Sequence, residues 1–300
     1  MDWATIAVLG TMAIGLVNII DSHLVSRRMP SFSAFLLAVA AFISIPTLGL
    51  MSFFPLPPGL ESWPLLVALG SGLLRTISIL ILLYIYKTEE VSQAIPVFHT
   101  FPVFVALLAV PLLGETLSGW QWLAVWIVVA GAVIISARRI PGAANWLGRP
   151  FWLLTAASLL MALADVGSKY ALGYVSFWNI YWLGSLITIA VFLAISLRPP
   201  IVRQLLALPR RKATMSLVAA NELVAVIGIL MIFRAMESGP VSLVATINGS
   251  RPLFVLILAL LLSRLAPGFL LEGQPAATGL SRRLIATLMI VGGITIIYAT

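Results

Sequence analysis

The chain has 300 residues, of which 61% are hydrophobic and 9% are charged, and its mean hydropathy is +1.10. A water-soluble domain of this size needs more charged side chains on its surface than the chain contains. The composition therefore excludes a soluble protein and predicts one that crosses a membrane several times. The net charge of +8 comes from basic residues at the ends of apolar runs rather than from one patch or tail, which argues against a nucleic-acid partner.

Cysteine is absent and there are only two histidines, which excludes disulfides and thiolate ligands and leaves little for a zinc site. We therefore expect neither a metal nor another cofactor. Met1, Asp2 and Trp3 supply no basic segment ahead of the first apolar run, which is long enough to span a bilayer. We expect that run to remain in the mature protein and not to be cleaved as a signal.

Ten apolar runs, separated by proline, glycine and charged residues, each approach the roughly 20 residues that a helix needs to cross a bilayer. The predicted fold is an all-α integral membrane protein with ten transmembrane helices. The predicted spans, in chain order, are Trp3 to Val25, Phe32 to Phe54, Pro64 to Tyr86, Val91 to Leu113, Gly119 to Ala137, Pro150 to Leu172, Tyr174 to Leu197, Lys212 to Ala235, Gly239 to Leu262 and Arg282 to Ala299.

A sequence repeat relates the two halves of the chain. Residues 91–112 and 241–262 align without a gap and are identical at eight of 22 positions, and VAGAVII at 129–135 resembles VGGITII at 291–297. We predict two five-helix domains, residues 1–139 and 150–300, joined by a linker at 140–149. Because five is odd, the second domain enters the membrane from the opposite side. Such inverted repeats are typical of transporters that alternate access to a site near the midplane.

The repeat also places a proline near the middle of the fourth and ninth spans, Pro102 and Pro252. A proline at that depth frees a backbone carbonyl, which is tolerated only where neighbouring protein or a wet cavity satisfies it. A packing kink would explain either proline alone. Their recurrence at equivalent positions favours a pair of helix breaks that line a cavity.

Lysine and arginine predict the orientation. If the N-terminus lies outside, fourteen of the eighteen basic residues fall in inner loops or at inner helix ends. The positive-inside rule therefore places both termini outside the inner (cell) membrane.

The run PVFVALLAVPLLGETLSGWQWLAVWIVVAGAVII, Pro102 to Ile135, resembles the ten-helix EamA-domain form of the drug/metabolite transporter superfamily. It contains the proline, a Gly114-Glu115 turn between helices, and a glycine near the end of the fifth span. The second copy keeps the proline and VGGITII but has Arg264-Leu265 in place of the turn.

Two tandem domains of this kind cover essentially the whole chain. The resemblance implies secondary transport of small metabolites, often export of amino acids or related compounds, through a central cavity lined by both repeats, including the fourth and ninth helices. Many ten-helix relatives are drawn with both termini in the cytoplasm, whereas the charges of this chain predict the opposite.

Four ionisable residues lie deepest in the predicted spans: Arg75, His99, Glu222 and Arg251. A charge at a helix centre costs roughly 2.5 to 3.5 kcal/mol, so each needs an explanation. They lie on repeat-related spans and could meet around the pseudo-two-fold axis. In one hypothesis the two arginines hold an anionic group of the substrate and Glu222 binds the proton that couples transport to a gradient. The alternative is a permanent Arg75–Glu222 ion pair that only ties two helices together.

Other polar residues are candidates for lesser roles. His99 could relay protons or be a hydrogen-bonded structural residue. Asn248, one turn before Pro252, could contact the substrate. A shallower set on the first and sixth spans could form gates or vestibule contacts, or could extend from helix ends to the membrane surface; it comprises Asn18, Asp21, Asp165 and Lys169.

Most of the nine tryptophans lie near predicted membrane interfaces, as an aromatic belt does. Trp126, Trp178 and Trp182 lie deeper and could stack on a ligand. We take Trp126 and Trp178 as the candidates for substrate contact.

These features predict a secondary active transporter, and an exporter by family resemblance, of a small amphipathic metabolite that is amino-acid-like by preference. Protons are the candidate coupling ion, and membrane lipid surrounds the protein. A membrane enzyme would show clustered acids or a nucleophile system, which ten scattered acidic residues do not provide, so we expect no catalysis. Two alternatives stay open: an organic-anion or phosphorylated-metabolite exchanger, favoured by the two arginines, and a non-transporting sensor or scaffold.

Overall fold

The computed structural model describes residues 1–88, 97–136, 149–265 and 280–300, and these residues form helices and no strand. A single π-helical turn, Leu24–Arg28, continues the first helix. The helices are α1 (Trp3–His23), α2 (Phe32–Phe53), α3 (Ser62–Thr88), α4 (Phe101–Leu113), α5 (Gly119–Ser136), α6 (Arg149–Ala171), α7 (Phe177–Ser196), α8 (Pro199–Leu206), α9 (Arg211–Ser238), α10 (Val241–Gly249), α11 (Arg251–Leu265) and α12 (Leu280–Ala299).

Seven helical segments of the described chain are long and apolar enough to cross a membrane. They are Trp3–Arg28, Phe32–Phe53, Ser62–Leu82, Phe151–Ala171, Phe177–Ser196, Arg211–Ser238 and Val241–Leu262, and three shorter apolar helices accompany them, Phe101–Leu113, Gly119–Ile134 and Arg283–Ala299. The protein is therefore an all-helical, multi-pass membrane protein, as predicted. Residues 91–96 of the fourth predicted span and most of the predicted linker at 140–149 lie outside the described residues.

One connection is more ordered than the sequence predicted. The stretch between the seventh and eighth predicted spans contains α8, which starts with two prolines at the helix positions where a missing N–H costs nothing. None of its residues is buried, and Ser31 Oγ donates a hydrogen bond to Gln204 Oε1 at 2.8 Å. The short helix therefore lies at the edge of the bundle, next to the start of α2.

Helix contacts repeat between the two halves. α3 contacts α6 as α9 contacts α1, and α4 contacts α6 as α11 contacts α1. α2 packs on α7, and α5 packs on α12. Exchanging the helices of one half for their counterparts in the other maps this set of contacts onto itself.

The crossing of α5 and α12 shows the same relation at single residues. A β-carbon on Gly131 would lie 2.8 Å from Ile290 Cγ1, and one on Gly293 would lie 2.5 Å from Val128 Cγ2. The aligned segments VAGAVII and VGGITII lie 162 residues apart in the chain. The same offset relates Gly131 to Gly293 and Val128 to Ile290. The contact is reciprocal, and only glycine allows the two backbones to approach this closely.

Two helices are interrupted at equivalent positions. α4 begins at Phe101 after a turn at residues 99–100, and α11 begins one residue after α10 ends. Thr100 (φ −81°, ψ −7°) and Ser250 (φ −74°, ψ 0°) share one backbone conformation. Each hydroxyl donates to the carbonyl three residues earlier, at 2.7 Å and 2.6 Å.

Pro102 and Pro252 each occupy the second position of the helix that follows the break. At that position a proline removes an N–H that has no partner inside the helix, so the prolines start new helices rather than bend continuous ones. The two breaks touch, since a β-carbon on Gly249 would lie 2.6 Å from Pro102 Cγ. The interrupted helices therefore meet at the centre of the bundle.

Candidate functional site

A buried ion pair joins α3 and α6. Arg75 Nη2 donates to Asp165 Oδ1 at 2.8 Å, and the exposed fractions of the two side chains are 23% and 0%. Arg75 Nη1 lies 3.7 Å from Met161 Sδ, and the guanidinium carbon lies 5.1 Å from the ring centroid of Phe233 on α9. Helices of both halves thus surround the guanidinium.

The helix breaks bring three more polar residues to this pair. Arg251, the first residue of α11, donates from Nη2 to Asn248 Oδ1 at 2.6 Å. Its charge acts on both Asp165 and His99. His99 is buried in the turn before α4, with its ring edge-on to Phe98 at 6.0 Å between centroids. We call Arg75, His99, Asp165, Asn248 and Arg251 the arginine cluster.

The arginine cluster combines two guanidinium groups with a carboxylate, an imidazole and an amide. Guanidinium groups bind carboxylates and phosphates through charge-assisted hydrogen bonds. Asp165 Oδ2 and His99 Nδ1 are buried and make no hydrogen bond to any described residue. The site can therefore bind an anionic group at its guanidinium groups and can accept one hydrogen bond at the free carboxylate oxygen.

A second polar group lies between α1, α7 and α9. Asn221 Nδ2 donates to Asp21 Oδ1 at 2.7 Å, and the charge of Asp21 acts on Glu222. Glu222 in turn acts on the hydroxyl of Tyr181, which is buried. We call Asp21, Tyr181, Asn221 and Glu222 the acidic cluster.

The position of Glu222 corrects the idea that it pairs with Arg75. Phe233, which contacts Arg75, lies eleven residues beyond Glu222 on α9, about 16 Å along the helix at 1.5 Å per residue. The neighbours of α3 are α6 and α7, whereas α9 packs mainly on α1. The carboxylate that reaches Arg75 is therefore Asp165, while the nearby charge that acts on Glu222 is that of Asp21.

The residues proposed as gates or vestibule contacts separate into three environments. Asp165 and Asp21 belong to the two clusters, and Asn18 is exposed on α1. Lys169 Nζ donates to the carbonyl oxygens of Met236 at 2.6 Å and Gly239 at 2.9 Å. Lysine thus satisfies the carboxyl end of α9, where a cation is favourable, instead of extending to the membrane surface.

Neither candidate tryptophan belongs to the arginine cluster. Trp126 is 54% exposed on α5. Trp178 stacks on Phe54 at the end of α2, with 4.6 Å between ring centroids and an interplanar angle of 7°. The third deep tryptophan, Trp182, donates from its indole nitrogen to the carbonyl of Phe54 at 3.1 Å.

Sequence reasoning missed Ser158 on α6. Its hydroxyl lies 2.9 Å from the carbonyl oxygen of Phe98 and 3.1 Å from that of Val97. The Phe98 carbonyl is the one that Pro102 leaves without a partner, because an unbroken helix would bond it to the residue four positions on. A serine in an apolar span is visible in the sequence, but the helix that it faces is not.

The sequence indicates Glu115 only as part of the Gly114-Glu115 turn. Gly114 ends α4 in the left-handed conformation (φ 69°, ψ 23°), which glycine adopts without strain. The Glu115 carboxylate then accepts from the backbone N–H groups of Val241 and Ser242, the latter at 3.2 Å, and from the Ser242 hydroxyl. The turn of the first half therefore caps α10 of the second half.

The described residues contain no group of three or more histidine, aspartate or glutamate side chains that could hold a metal ion. What the site offers chemically is charge, hydrogen bonding and apolar walls.

Comparison with known proteins shows the fold of the chain and finds a family match over its first part. A protein of known crystal structure matches 99% of this chain and 95% of its own length, with a TM-score of 0.67 and 17% sequence identity, so the two share a fold. No curated protein matches. Residues 1–137, a little under half of the chain, match the EamA-like transporter family, in agreement with the resemblance noted for Pro102 to Ile135.

Proposed function

We propose that this protein is a secondary active transporter that exports a small amphipathic metabolite, amino-acid-like by preference, by alternating access around a midplane cavity. The observation that carries the proposal is the arginine cluster. Arg75 pairs with the carboxylate of Asp165, and the charge of Arg251 acts on the same carboxylate. Guanidinium groups bind anions through charge-assisted hydrogen bonds, so the two arginines would bind an anionic group of the substrate.

Alternating access rests on two inverted five-helix domains, residues 1–139 and 150–300, with ten spans in all. The equivalent helix breaks, the reciprocal glycine contacts of α5 and α12 and the exchangeable set of helix contacts support this architecture. Two similar halves can exchange conformations about a fixed central site. The lysine and arginine bias supports both termini outside the inner membrane.

A zwitterionic substrate fits the cluster better than a simple anion. Its carboxylate would bind the guanidinium groups of Arg75 and Arg251, which form short, charge-assisted hydrogen bonds. Its ammonium group would donate to Asp165 Oδ2, the buried acceptor that no described residue uses. Asn248 holds Arg251 by a hydrogen bond and would position it.

Proton coupling is assigned to the acidic cluster. Two carboxyl groups, Asp21 on α1 and Glu222 on α9, interact electrostatically, and the neutral Asn221, next to Glu222 in the chain, donates a hydrogen bond to Asp21. Leaving both ionised in an apolar bundle is costly, so the pair is suited to hold and release one proton. Glu222 would be the coupling residue, and it would act at a distance from the substrate and not by neutralising Arg75.

The test is uptake of a panel of radiolabelled amino acids and organic anions into proteoliposomes with an imposed proton gradient. We expect gradient-driven uptake by the wild type and its loss in Glu222→Gln with the protein still folded. Arg251→Gln should lower uptake even without a gradient. The matched control is Glu61→Gln, an exposed carboxyl outside the spans, which should behave as wild type. Uptake that no variant changes would contradict both assignments.

An organic-anion or phosphorylated-metabolite exchanger is the second candidate, and the two guanidinium groups favour it. Counter-flow that requires a solute on the far side but no proton gradient would identify it. Measurable flux of any solute would eliminate a sensor or scaffold that only keeps the fold.

A further inference from the structure

An open cleft of about 1010 Å³ lies between α2, α8 and the start of α9. This volume is at the upper limit of the roughly 300 to 1,000 Å³ typical of small-molecule pockets, so it can hold far more than a small ion. Most of its wall is apolar; the largest apolar side chains are Leu37, Phe42, Val202, Leu205, Leu206 and Met215.

One rim of the cleft is strongly basic. Arg210, Arg211 and Lys212 follow one another there and are exposed, and none of the described lining residues is acidic. Arg210 has φ 56° and ψ 36°, a left-handed conformation that costs a non-glycine residue about 1 to 2 kcal/mol and that no other described non-glycine residue adopts. No side chain caps α9, so the backbone N–H groups of its first turn add to the positive rim.

We propose that this cleft binds an anionic phospholipid, with its acyl chains against α2 and α8 and its phosphate at residues 210–212. The apolar walls need an apolar occupant, and the basic rim needs an anion, and a phospholipid supplies both in one molecule. A peptide would bring backbone N–H and carbonyl groups that these walls cannot satisfy. A lipid with a cationic headgroup would place a further positive charge beside three cations.

The position of the cleft agrees with this occupant. It lies at the end of the bundle where α8, the start of α9 and the residue before each of them contain five basic residues: Arg198, Arg203, Arg210, Arg211 and Lys212. By the positive-inside rule this end faces the cytoplasmic leaflet, which carries the anionic lipids. The cleft therefore opens where the proposed ligand is concentrated.

The experiment is native mass spectrometry of the full chain in detergent, titrated with phosphatidylglycerol or phosphatidylcholine. We expect the wild type to retain phosphatidylglycerol preferentially. The double variant Arg211→Gln/Lys212→Gln should weaken that binding about 30-fold, which corresponds to about 1 kcal/mol for each basic residue removed from beside an anionic headgroup. The control with the same charge change is Arg198→Gln/Arg203→Gln, whose exposed side chains do not line the cleft.

A second variant tests the apolar wall without altering charge. Ala41 lines the cleft and is exposed, so Ala41→Trp should fill the cleft and lower phosphatidylglycerol binding while leaving the melting temperature close to that of the wild type. Equal losses in the two charge variants would mean a general surface effect and would overturn the proposal. A second result would also overturn the proposal: millimolar inorganic phosphate displaces the lipid, and Ala41→Trp binds phosphatidylglycerol as well as the wild type does. That result would mean that the cleft binds a free anion and not a phospholipid.

Discussion

At the level of single residues, the Arg75–Asp165 ion pair places two opposite charges inside an apolar bundle. Its carboxylate is fully buried, and the pair joins α3 to α6. Taking two charges out of water is expensive, and the attraction between them offsets that cost only while both are present. The pair should therefore be sensitive to loss of one partner and tolerant of loss of both.

We predict that Asp165→Asn lowers the free energy of unfolding by about 3 to 5 kcal/mol, because it leaves a guanidinium without a buried counter-charge. The double variant Arg75→Met/Asp165→Leu should recover most of that stability but not transport. Thermal unfolding in detergent measures the first effect and proteoliposome uptake the second.

The surface pair Arg234–Glu237 provides the control for this prediction. Its side chains are 49% and 24% exposed, so Glu237→Gln should cost at most about 1 kcal/mol. Similar losses at the two pairs would contradict the buried role of Asp165.

The sequence identified most members of the arginine cluster because charged residues inside apolar spans are rare and conspicuous. It failed for the partner of Arg75. The repeat shows which positions on α3 and α9 correspond to each other, but it does not show which helices those positions contact. α3 packs on α6 and α7, whereas α9 packs mainly on α1. Asp165 lies near a predicted helix end, which suggests a gate, although it is fully buried at the centre of the ion pair.

At the level of elements, the interrupted helices need partners for the backbone groups that the breaks expose. Ser158 supplies one for the carbonyls of Val97 and Phe98. We predict that Ser158→Ala lowers the free energy of unfolding by about 1 to 3 kcal/mol, the usual cost of leaving a buried polar group unsatisfied. The melting temperature of the purified protein gives this value.

A matched serine keeps that prediction specific. Ser44 Oγ donates at 2.6 Å to the carbonyl of Ala40 in the same helix, α2. That carbonyl also accepts the backbone hydrogen bond of the helix, so it keeps a partner when the hydroxyl is removed. Ser44→Ala should therefore change stability by a few tenths of a kcal/mol at most. A change as large as that of Ser158→Ala would show that loss of any helix hydroxyl has the same effect.

The start of α10 depends on a carboxylate from the other half of the chain. We predict that Glu115→Gln lowers stability by about 1 kcal/mol, because the charged cap of the Val241 and Ser242 N–H groups is weakened. Hydrogen exchange of the amides at 241–246 should accelerate. Glu61→Gln, beside the start of α3, is the control and should leave exchange in α10 unchanged.

At the level of the whole molecule, composition and run length were sufficient to predict an all-helical membrane protein, because apolar runs of about 20 residues rarely occur outside membrane-spanning helices. The short helix α8 was not predictable in the same way. Its eight residues are too few for a span, and Val202 and Leu205 are half-buried because α2 and α9 lie beside them. The cleft between these helices is a property of packing that no single stretch of sequence contains.

The orientation predicted from the basic residues can be tested directly, because the chain has no cysteine to remove. Glu61, Arg203 and Thr300 are all exposed and lie outside the spans. With both termini outside, a cysteine at Glu61 or Thr300 should react with an impermeant maleimide on intact cells. A cysteine at Arg203 should react only after the cells are permeabilised, since the positive-inside rule places α8 in the cytoplasm.

The opposite labelling pattern would reverse the orientation and would move the basic cleft to the outer leaflet. It would leave the arginine cluster where it is, because the proposed inverted pair of halves would present the same central site from either side. Orientation therefore bears on the direction of transport and on the lipid that meets the cleft, and not on how the substrate is held. A cysteine at Arg203 that reacts on intact cells is the result that would require this revision.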